Sequence, residues 1–332
     1  MQKYHENAHS VRVGGAVSKE KGRAYIKYIT ALLLFGSNGI IASFIDLPSE
    51  QIILLRTFLG GSLLMMIAAA MRSFRGISAH GRDSLFVILS GLCMGVSWIF
   101  QYEAYRLIGI GVTSVLYCIG PILLVILAQF VFRERITSAK VLCLSAVTAG
   151  AVLTGGMTLQ QGAGAAGIIC ALMCALAYAG MILLNKQSRH VTGLANASIQ
   201  MAAAFSVTLI FSLLKIIAGQ LPALSNNAIT DLNVVMHGVT EIFATVTSLG
   251  EWTPVLILGM INTGIGCYLY FSSISEIPAQ TVAVCDYIEP MSAVLLSAII
   301  LGEHMSAFQI AGTSMILAGT IAWNRRSAAD NA

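Results

Sequence analysis

The chain has 332 residues, of which 57% are hydrophobic and only 10% charged, with a mean hydropathy of +0.81. A soluble domain of ordinary make-up carries about 25% charged residues, so a water-soluble fold of this length would lack the charge to cover its surface. The net charge of +4 is too small to point to nucleic acid, and the chain reads as an all-α integral membrane protein.

Residues 1–23 form a polar, basic tail, too long and irregular for a signal-peptide n-region. No small-residue cleavage site follows the apolar run from Ala24 to Phe44, so the first helix is expected to remain. A bilayer core of about 30 Å needs about 20 apolar residues in a helix. Ten stretches meet that need: 24–44, 50–71, 85–105, 110–132, 138–156, 165–185, 195–218, 253–273, 278–301 and 306–324. Alternation at period two is absent, which argues against a transmembrane barrel. The connectors are short except for 219–252, where Leu232, Val235, Val239, Ile242, Phe243, Val246 and Leu249 recur at helical spacing. This segment reads as an amphipathic helix on the outer membrane surface, with a lid over an outer entrance as the sharper alternative. A short tail, 325–332, ends the chain.

Lysine and arginine set the orientation. With the amino terminus inside, sixteen of the nineteen basic residues fall on the cytoplasmic side, among them Arg72, Arg75, Arg82, Arg133, Arg135, Lys186, Arg189, Arg325 and Arg326. Arg56, Arg106 and Lys215 lie in or at the ends of helices. Both termini are therefore expected in the cytoplasm. The short loops suit a bacterial inner (cell) membrane. The seven cysteines all lie inside apolar runs and read as small buried hydrophobes, not as disulfides or metal ligands. No cofactor or metal is implied.

The chain repeats itself. Gly120-Pro121 to Gly150 matches Glu289-Pro290 to Gly319 at a constant offset of 169, which also pairs Glu134 with Glu303 and Gly95 with Gly264. The first and sixth helices fit at an offset of 141, with Gly39 on Gly180. The chain is thus two five-helix halves, 24–156 and 165–324, with 219–252 inserted in the second. Five is odd, so the halves have inverted topology. Inverted repeats are typical of secondary transporters, with a substrate site near the membrane midplane between halves that rock.

These patterns resemble the drug/metabolite transporter superfamily, specifically its ten-helix EamA-type members. Arg56 in Ile53-Leu54-Leu55-Arg56-Thr57-Phe58-Leu59 resembles the arginine of the family's second helix. Trp98 to Arg106 resembles the end of its third helix. Gly120-Pro121 with Arg133-Glu134-Arg135, and Glu289-Pro290 with Leu301-Gly302-Glu303, resemble its twin signatures. The likeness covers about residues 25–324 and implies a polytopic permease with both ends in the cytoplasm. It implies no single substrate, since members carry amino acids, sugars, nucleotide-linked metabolites and drugs. The long connector before the eighth helix and the charge at Asp286 depart from the pattern.

Charges at membrane depth cost about 2.5–3.5 kcal/mol each on insertion scales and normally face a cavity or partner. Asp286 and Glu289 are three apart and share one helix face, where two carboxylates cannot both ionise comfortably. That suits proton coupling or recognition of an amine. Glu289 is equally readable as a brace for the helix break at Pro290. Arg56 has two readings: a bidentate substrate ligand, or an ion-pair partner of Glu103, Asp286 or Glu289. Glu103 and Arg106, also three apart, read better as a local pair. Trp98, Tyr117, Tyr178 and Tyr268 are the aromatic candidates for a cavity wall, with plain helix packing as the alternative. Gly91, Gly95 and Gly264 offer close helix approach, and Pro121 and Pro290 are hinge candidates.

The leading reading is a secondary transporter of small metabolites, amino acids or drugs by alternating access, with proton coupling open. It needs the lipid bilayer, a small-molecule substrate and no nucleic acid; it is a monomer or a homodimer. No GxxxxGK[ST] loop supports a nucleotide-driven pump. An intramembrane enzyme is the alternative class, but no catalytic residue is named: only Asp286 is available as an aspartate within a span, no histidine lies in a span, and HExxH is absent. A receptor or assembly subunit is the third.

Overall fold

In lipid the backbone has no water to bond, so each segment must satisfy its own amides, and the apolar stretches fold as helices. The computed structural model describes residues 22–47, 49–75, 80–133, 137–155, 164–220, 252–300, 302 and 306–330. Among them seven helices are long and apolar enough to cross a membrane: Gly22–Ala42, Glu50–Ala70, Gly81–Ile108, Ala165–Asn185, Gly193–Lys215, Thr253–Glu276 and Ala279–Ile300. Three shorter apolar helices, Ile119–Phe132, Ser138–Leu153 and Ala307–Trp323, interleave with them. In chain order these are the ten expected spans, referred to below by number. Their outward faces carry large apolar side chains, Ile299 at 77% and Phe130 at 76% exposure, as lipid-facing helices must. The surface helix expected within 219–252 and the loop residues Glu134 and Glu303 lie outside the described residues.

Three boundaries differ from expectation. The third stretch does not end at 105: one helix runs from Gly81 to Tyr117, because Gly109 and Gly111 alone do not interrupt the helical hydrogen bonds. The breaks expected at Pro121 and Pro290 fall a few residues earlier. The fourth span breaks at Cys118, before the helix Ile119–Phe132, and the ninth breaks at Asp286–Tyr287, before Ile288–Ile300. Each proline sits in the first turn after its break, where a missing N–H removes no intrahelical bond.

The repeat is visible in the backbone. The two breaks occupy matching positions, and the helices after them end alike: Arg133 at φ +55° and Gly302 at φ +69°, 169 residues apart. A left-handed residue is a common helix stop, and glycine adopts it without strain.

The halves pack into each other. The third span lies on the sixth and seventh, the second on the seventh and eighth, the fourth on the sixth and ninth, and the fifth on the tenth. Exchanging the halves maps the second–eighth contact onto the third–seventh, and the second–seventh, fourth–ninth and fifth–tenth contacts onto themselves. Polar side chains join them in the interior. Ser90 Oγ donates to the Met181 carbonyl at 2.6 Å and to Gln200 Oε1 at 2.9 Å, and Gln200 Nε2 donates to Asn196 Oδ1 at 3.2 Å. At the membrane faces two further links cross the halves. Glu50 pairs with Lys215 at one face. At the other, Asp83 Oδ2 accepts the backbone N–H of Arg189 at 3.0 Å and of His190 at 2.7 Å.

Gly91 and Gly95 give the third span its close approach to the seventh. A β-carbon on Gly91 would lie 2.5 Å from the Gln200 carbonyl oxygen, and one on Gly95 would lie 2.9 Å from that of Ala204. On Gly264 its one tight contact would be a Leu63 side-chain methyl at 3.1 Å, with backbone atoms no nearer than 3.5 Å. Gly91→Ala is therefore expected to destabilise by about 1–3 kcal/mol through backbone overpacking, and Gly264→Ala by less. Melting of the detergent-solubilised variants by size-exclusion chromatography checks the order; equal losses would contradict it.

Candidate functional site

The breaks in the fourth and ninth spans free backbone groups inside the bundle. At the break in the fourth span the Cys118 carbonyl, at the N-cap of Ile119–Phe132, accepts a hydrogen bond from the Tyr287 hydroxyl at 2.9 Å. Cys118 and Tyr287 are themselves repeat mates, 169 residues apart, so the two breaks are tied directly to each other. Thr148 Oγ1 lies 3.1 Å from the same hydroxyl.

On one side of the breaks stands Asp286. It is 9% exposed and ends the helix Ala279–Cys285. The Tyr28 hydroxyl hydrogen-bonds its carboxylate, and the Tyr270 hydroxyl reaches Oδ2 at 3.5 Å. The two tyrosine rings pack at 5.0 Å between centroids. Phenol donors, not a cation, hold this carboxylate among the described residues. It sits under an aromatic cover formed by the first and eighth spans.

One turn on, Glu289 begins the helix Ile288–Ile300, where a negative charge is favoured by the helix dipole. Its carboxylate is half-buried and makes no hydrogen bond among the described residues. It lies within electrostatic reach of Arg56, Tyr105 and Tyr117.

Arg56 is 7% exposed. Its Nε donates to Thr263 Oγ1 at 3.1 Å, and its guanidinium lies 4.6 Å from the Trp98 ring centroid. Of the ion pairs expected for Arg56, none forms among the described residues. Glu103 pairs instead with Arg106 near the surface, because a partner three residues away on the same helix is nearer than one on another span. Thr263 belongs to a π-helical segment, Ile257–Ile265, in which its hydroxyl bonds back to the Leu258 carbonyl at 2.7 Å. The wider turn puts Asn262 and Thr263 on the buried side. Asn262 Nδ2 donates to the Leu34 carbonyl at 2.8 Å and to Ser37 Oγ at 2.7 Å, closing the kink at Ser37 in the first span.

The aromatic candidates divide. Tyr117 and Tyr178 meet edge to face at 5.4 Å, and the Tyr178 hydroxyl is buried without a partner among the described residues. Trp98 belongs with Arg56. Tyr268 stands apart, lining a cavity of 540 Å³ with Lys27, Lys186, Ser188, Arg189, Thr192, Ser272, Ser275 and Glu276 at the basic face. There Lys186 Nζ donates to the Ile274 carbonyl at 2.8 Å and to that of Ile277. No cluster of three or more His, Cys, Asp or Glu able to hold a metal occurs among the described residues.

Interleaved helical halves, paired helix breaks and intramembrane charges define a polytopic membrane transporter. Known proteins agree. The EamA-like transporter family matches residues 22–156 and 234–325, and the chain belongs to that family. It is 26% identical over 306 residues to "Uncharacterized transporter YxxF" of Bacillus subtilis (strain 168), covering 91% of this chain and 89% of that protein. It is 23% identical to "Uncharacterized transporter YetK" of the same organism, covering 93% and 88%. A third relative, an "Uncharacterized transporter" of Clostridium kluyveri, is 20% identical, with 82% of each chain covered. These names are those of transporters, not enzymes. A solved crystal structure superposes with a TM-score of 0.70 over 91% of this chain and 97% of its own, at 16% identity, a likeness of fold.

Tyr287→Phe should remove the hydrogen bond that ties the two breaks and cost about 0.5–1.5 kcal/mol of stability. Tyr268→Phe, in the wall of the open cavity, should be close to neutral. Thermal unfolding in detergent checks both; a neutral Tyr287→Phe would contradict the tie between the breaks.

Proposed function

We propose that the chain is a secondary transporter that moves a small polar or amphipathic metabolite by alternating access, with Asp286 or Glu289 as the coupling or substrate carboxylate. The observation that carries this reading is the placement of Asp286 and Glu289 on the two sides of the break in the ninth span, which the Tyr287–Cys118 hydrogen bond ties to the break in the fourth. Charges at that depth are costly and are retained where they face a pathway or a partner. Breaks in matching helices are the usual form of a binding site between repeats.

Alternating access needs two ends that open in turn. The basic face has the 540 Å³ cavity, while the Glu50–Lys215 pair bridges the second and seventh spans at the other. Read as a snapshot of the cycle, this is a state open toward the basic face. The positive-inside rule makes that face cytoplasmic, with both termini there, in a bacterial cell membrane. One chain contains both halves, so a monomer suffices.

The test is purified protein in proteoliposomes with an internal pH dye, screened with amino acids, amines and small drugs beside Asp286→Asn and Glu289→Gln. Substrate-dependent proton movement, lost in one of the variants, is the expected result and identifies the coupling residue. Uptake without proton movement would overturn coupling while keeping the carrier. Folded protein that moves none of these compounds would count against transport.

A further inference from the structure

We propose that the cavity at the basic face is a binding site for a phosphate-bearing anion, held by Lys27, Lys186 and Arg189 and bridging the two halves. The group recognised is the phosphate itself, whether carried on a phospholipid headgroup or on a cytosolic ester. The site is separate from the central charges: none of Arg56, Asp286 and Glu289 lines it.

Convergence of charge is the first ground. Lys27 comes from the first span, and Lys186 and Arg189 from the connector after the sixth, so cations of both halves line one volume of 540 Å³. That is an ordinary size for a small-ligand site, about 300–1,000 Å³. The positive-inside rule accounts for lysines and arginines on this side, but not for their meeting across the repeat. Glu276 is the one carboxylate among the described lining residues, and it is exposed. Lys27, Arg189 and Glu276 form no ion pair among the described residues. Three cations against one carboxylate leave the cavity with an excess of positive charge.

The second ground is that these charges are held in place before anything binds. Lys186 caps the helix Ala165–Asn185, and its Nζ donates to the Ile274 carbonyl at 2.8 Å and to that of Ile277. Those bonds fix the ammonium in the wall and tie the end of the sixth span to the end of the eighth. Arg189 lies on a pinned backbone, since Asp83 Oδ2 accepts its N–H at 3.0 Å and that of His190 at 2.7 Å. The same carboxylate oxygen lies 2.8 Å from the His190 ring, so Asp83 is engaged there and not with the Arg189 guanidinium. Lys27 Nζ lies 6.0 Å from the Tyr268 ring centroid, across the boundary between the halves. Thr192 and Ser275 add exposed hydroxyls, and the helix Gly193–Gln220 starts in the same wall with the positive end of its dipole. A site assembled in advance loses less ordering entropy on binding.

Location is the third ground, and it favours the lipid as the source. Ile26 and Leu33 on the first span and Ile265 on the eighth are large apolar side chains left exposed, as on the lipid-facing surface elsewhere. Ile265 stands three residues before Tyr268 and shares its helix face. A phospholipid with its phosphate in the cavity has an apolar surface on these two helices for its acyl chains. Basic pockets between spans on the cytoplasmic side suit anionic headgroups. An anion bound here joins Lys27 of the first half to residues 186–193 of the second, so its binding stabilises the folded chain.

The test uses the full chain in detergent, with native mass spectrometry to count bound lipid and thermal shift to read affinity. Phosphatidylglycerol is compared with phosphatidylcholine, and glycerol 3-phosphate with sodium chloride at equal ionic strength. Phosphatidylglycerol should bind and stabilise the chain where phosphatidylcholine does not. Lys27→Gln combined with Arg189→Gln should weaken that binding at least about tenfold, through loss of two charge-assisted contacts. Arg325→Gln combined with Arg326→Gln removes equal charge from the same face and should leave it unchanged. Lys27→Arg combined with Arg189→Lys keeps the charges and should retain the binding, which separates recognition from misfolding. Equal stabilisation by glycerol 3-phosphate, with the same dependence on Lys27 and Arg189, would support the site with a cytosolic ester as its source; stabilisation by the lipid alone would support it with the headgroup. Equal losses in the two glutamine double variants would overturn the proposal, leaving only general attraction to a basic surface. So would the failure of both phosphatidylglycerol and glycerol 3-phosphate to stabilise the chain beyond their controls.

Discussion

Breaking a helix inside a bilayer leaves backbone groups that lipid cannot satisfy, and the organisation of this protein follows from how they are satisfied. The fourth and ninth spans break at equivalent positions, and the Tyr287 hydroxyl at one break bonds the Cys118 carbonyl at the other. That bond brings the two broken helices together at the centre of the bundle. It also sets Asp286 and Glu289 on either side of a helix interruption. Their different settings follow: Asp286 is covered by Tyr28 and Tyr270, while Glu289 is held at a helix start without a hydrogen bond among the described residues.

Around this centre the two halves interlock, so neither could bury its polar groups alone. Glycines let the third span approach the seventh closely, and the Ser90–Gln200–Asn196 chain supplies hydrogen bonds where packing alone would leave polar atoms unmet. The π-helical segment of the eighth span serves both purposes. It turns Asn262 toward the kink in the first span and Thr263 toward Arg56. A wider helical turn is an effective way to aim two adjacent polar side chains at different partners.

The spans, the repeat and the candidate charges were legible in the sequence because each leaves a coarse mark: length of apolar run, constant offset, and charge among apolar neighbours. Arg56, Asp286 and Glu289 stand out for that reason. Tyr28, Tyr270, Asn262 and Thr263 did not, because a tyrosine, asparagine or threonine within an apolar stretch carries no mark of its partner. The only available hint was the adjacent polar pair Asn262-Thr263 inside the eighth run. The π segment itself is invisible to a 3.6-residue period, since it shifts the phase of every later side chain. The proline signal was real but displaced, because proline is best tolerated just after an interruption and not at it. Arg56 was expected to find a carboxylate; it found Thr263 and Trp98 instead, which only the packing of three different spans determines.

A single central site, reached from each face in turn, is the claim on which the rest depends. The most direct measurement is side-specific labelling of Glu289→Cys, with the unsubstituted chain as the blank for its native cysteines. A membrane-impermeant maleimide would be added to right-side-out and to inside-out vesicles. Modification from both faces is the expected result, with the balance shifting when a transported compound is present. Modification from one face only, whatever is added, would contradict a shared site with alternating access.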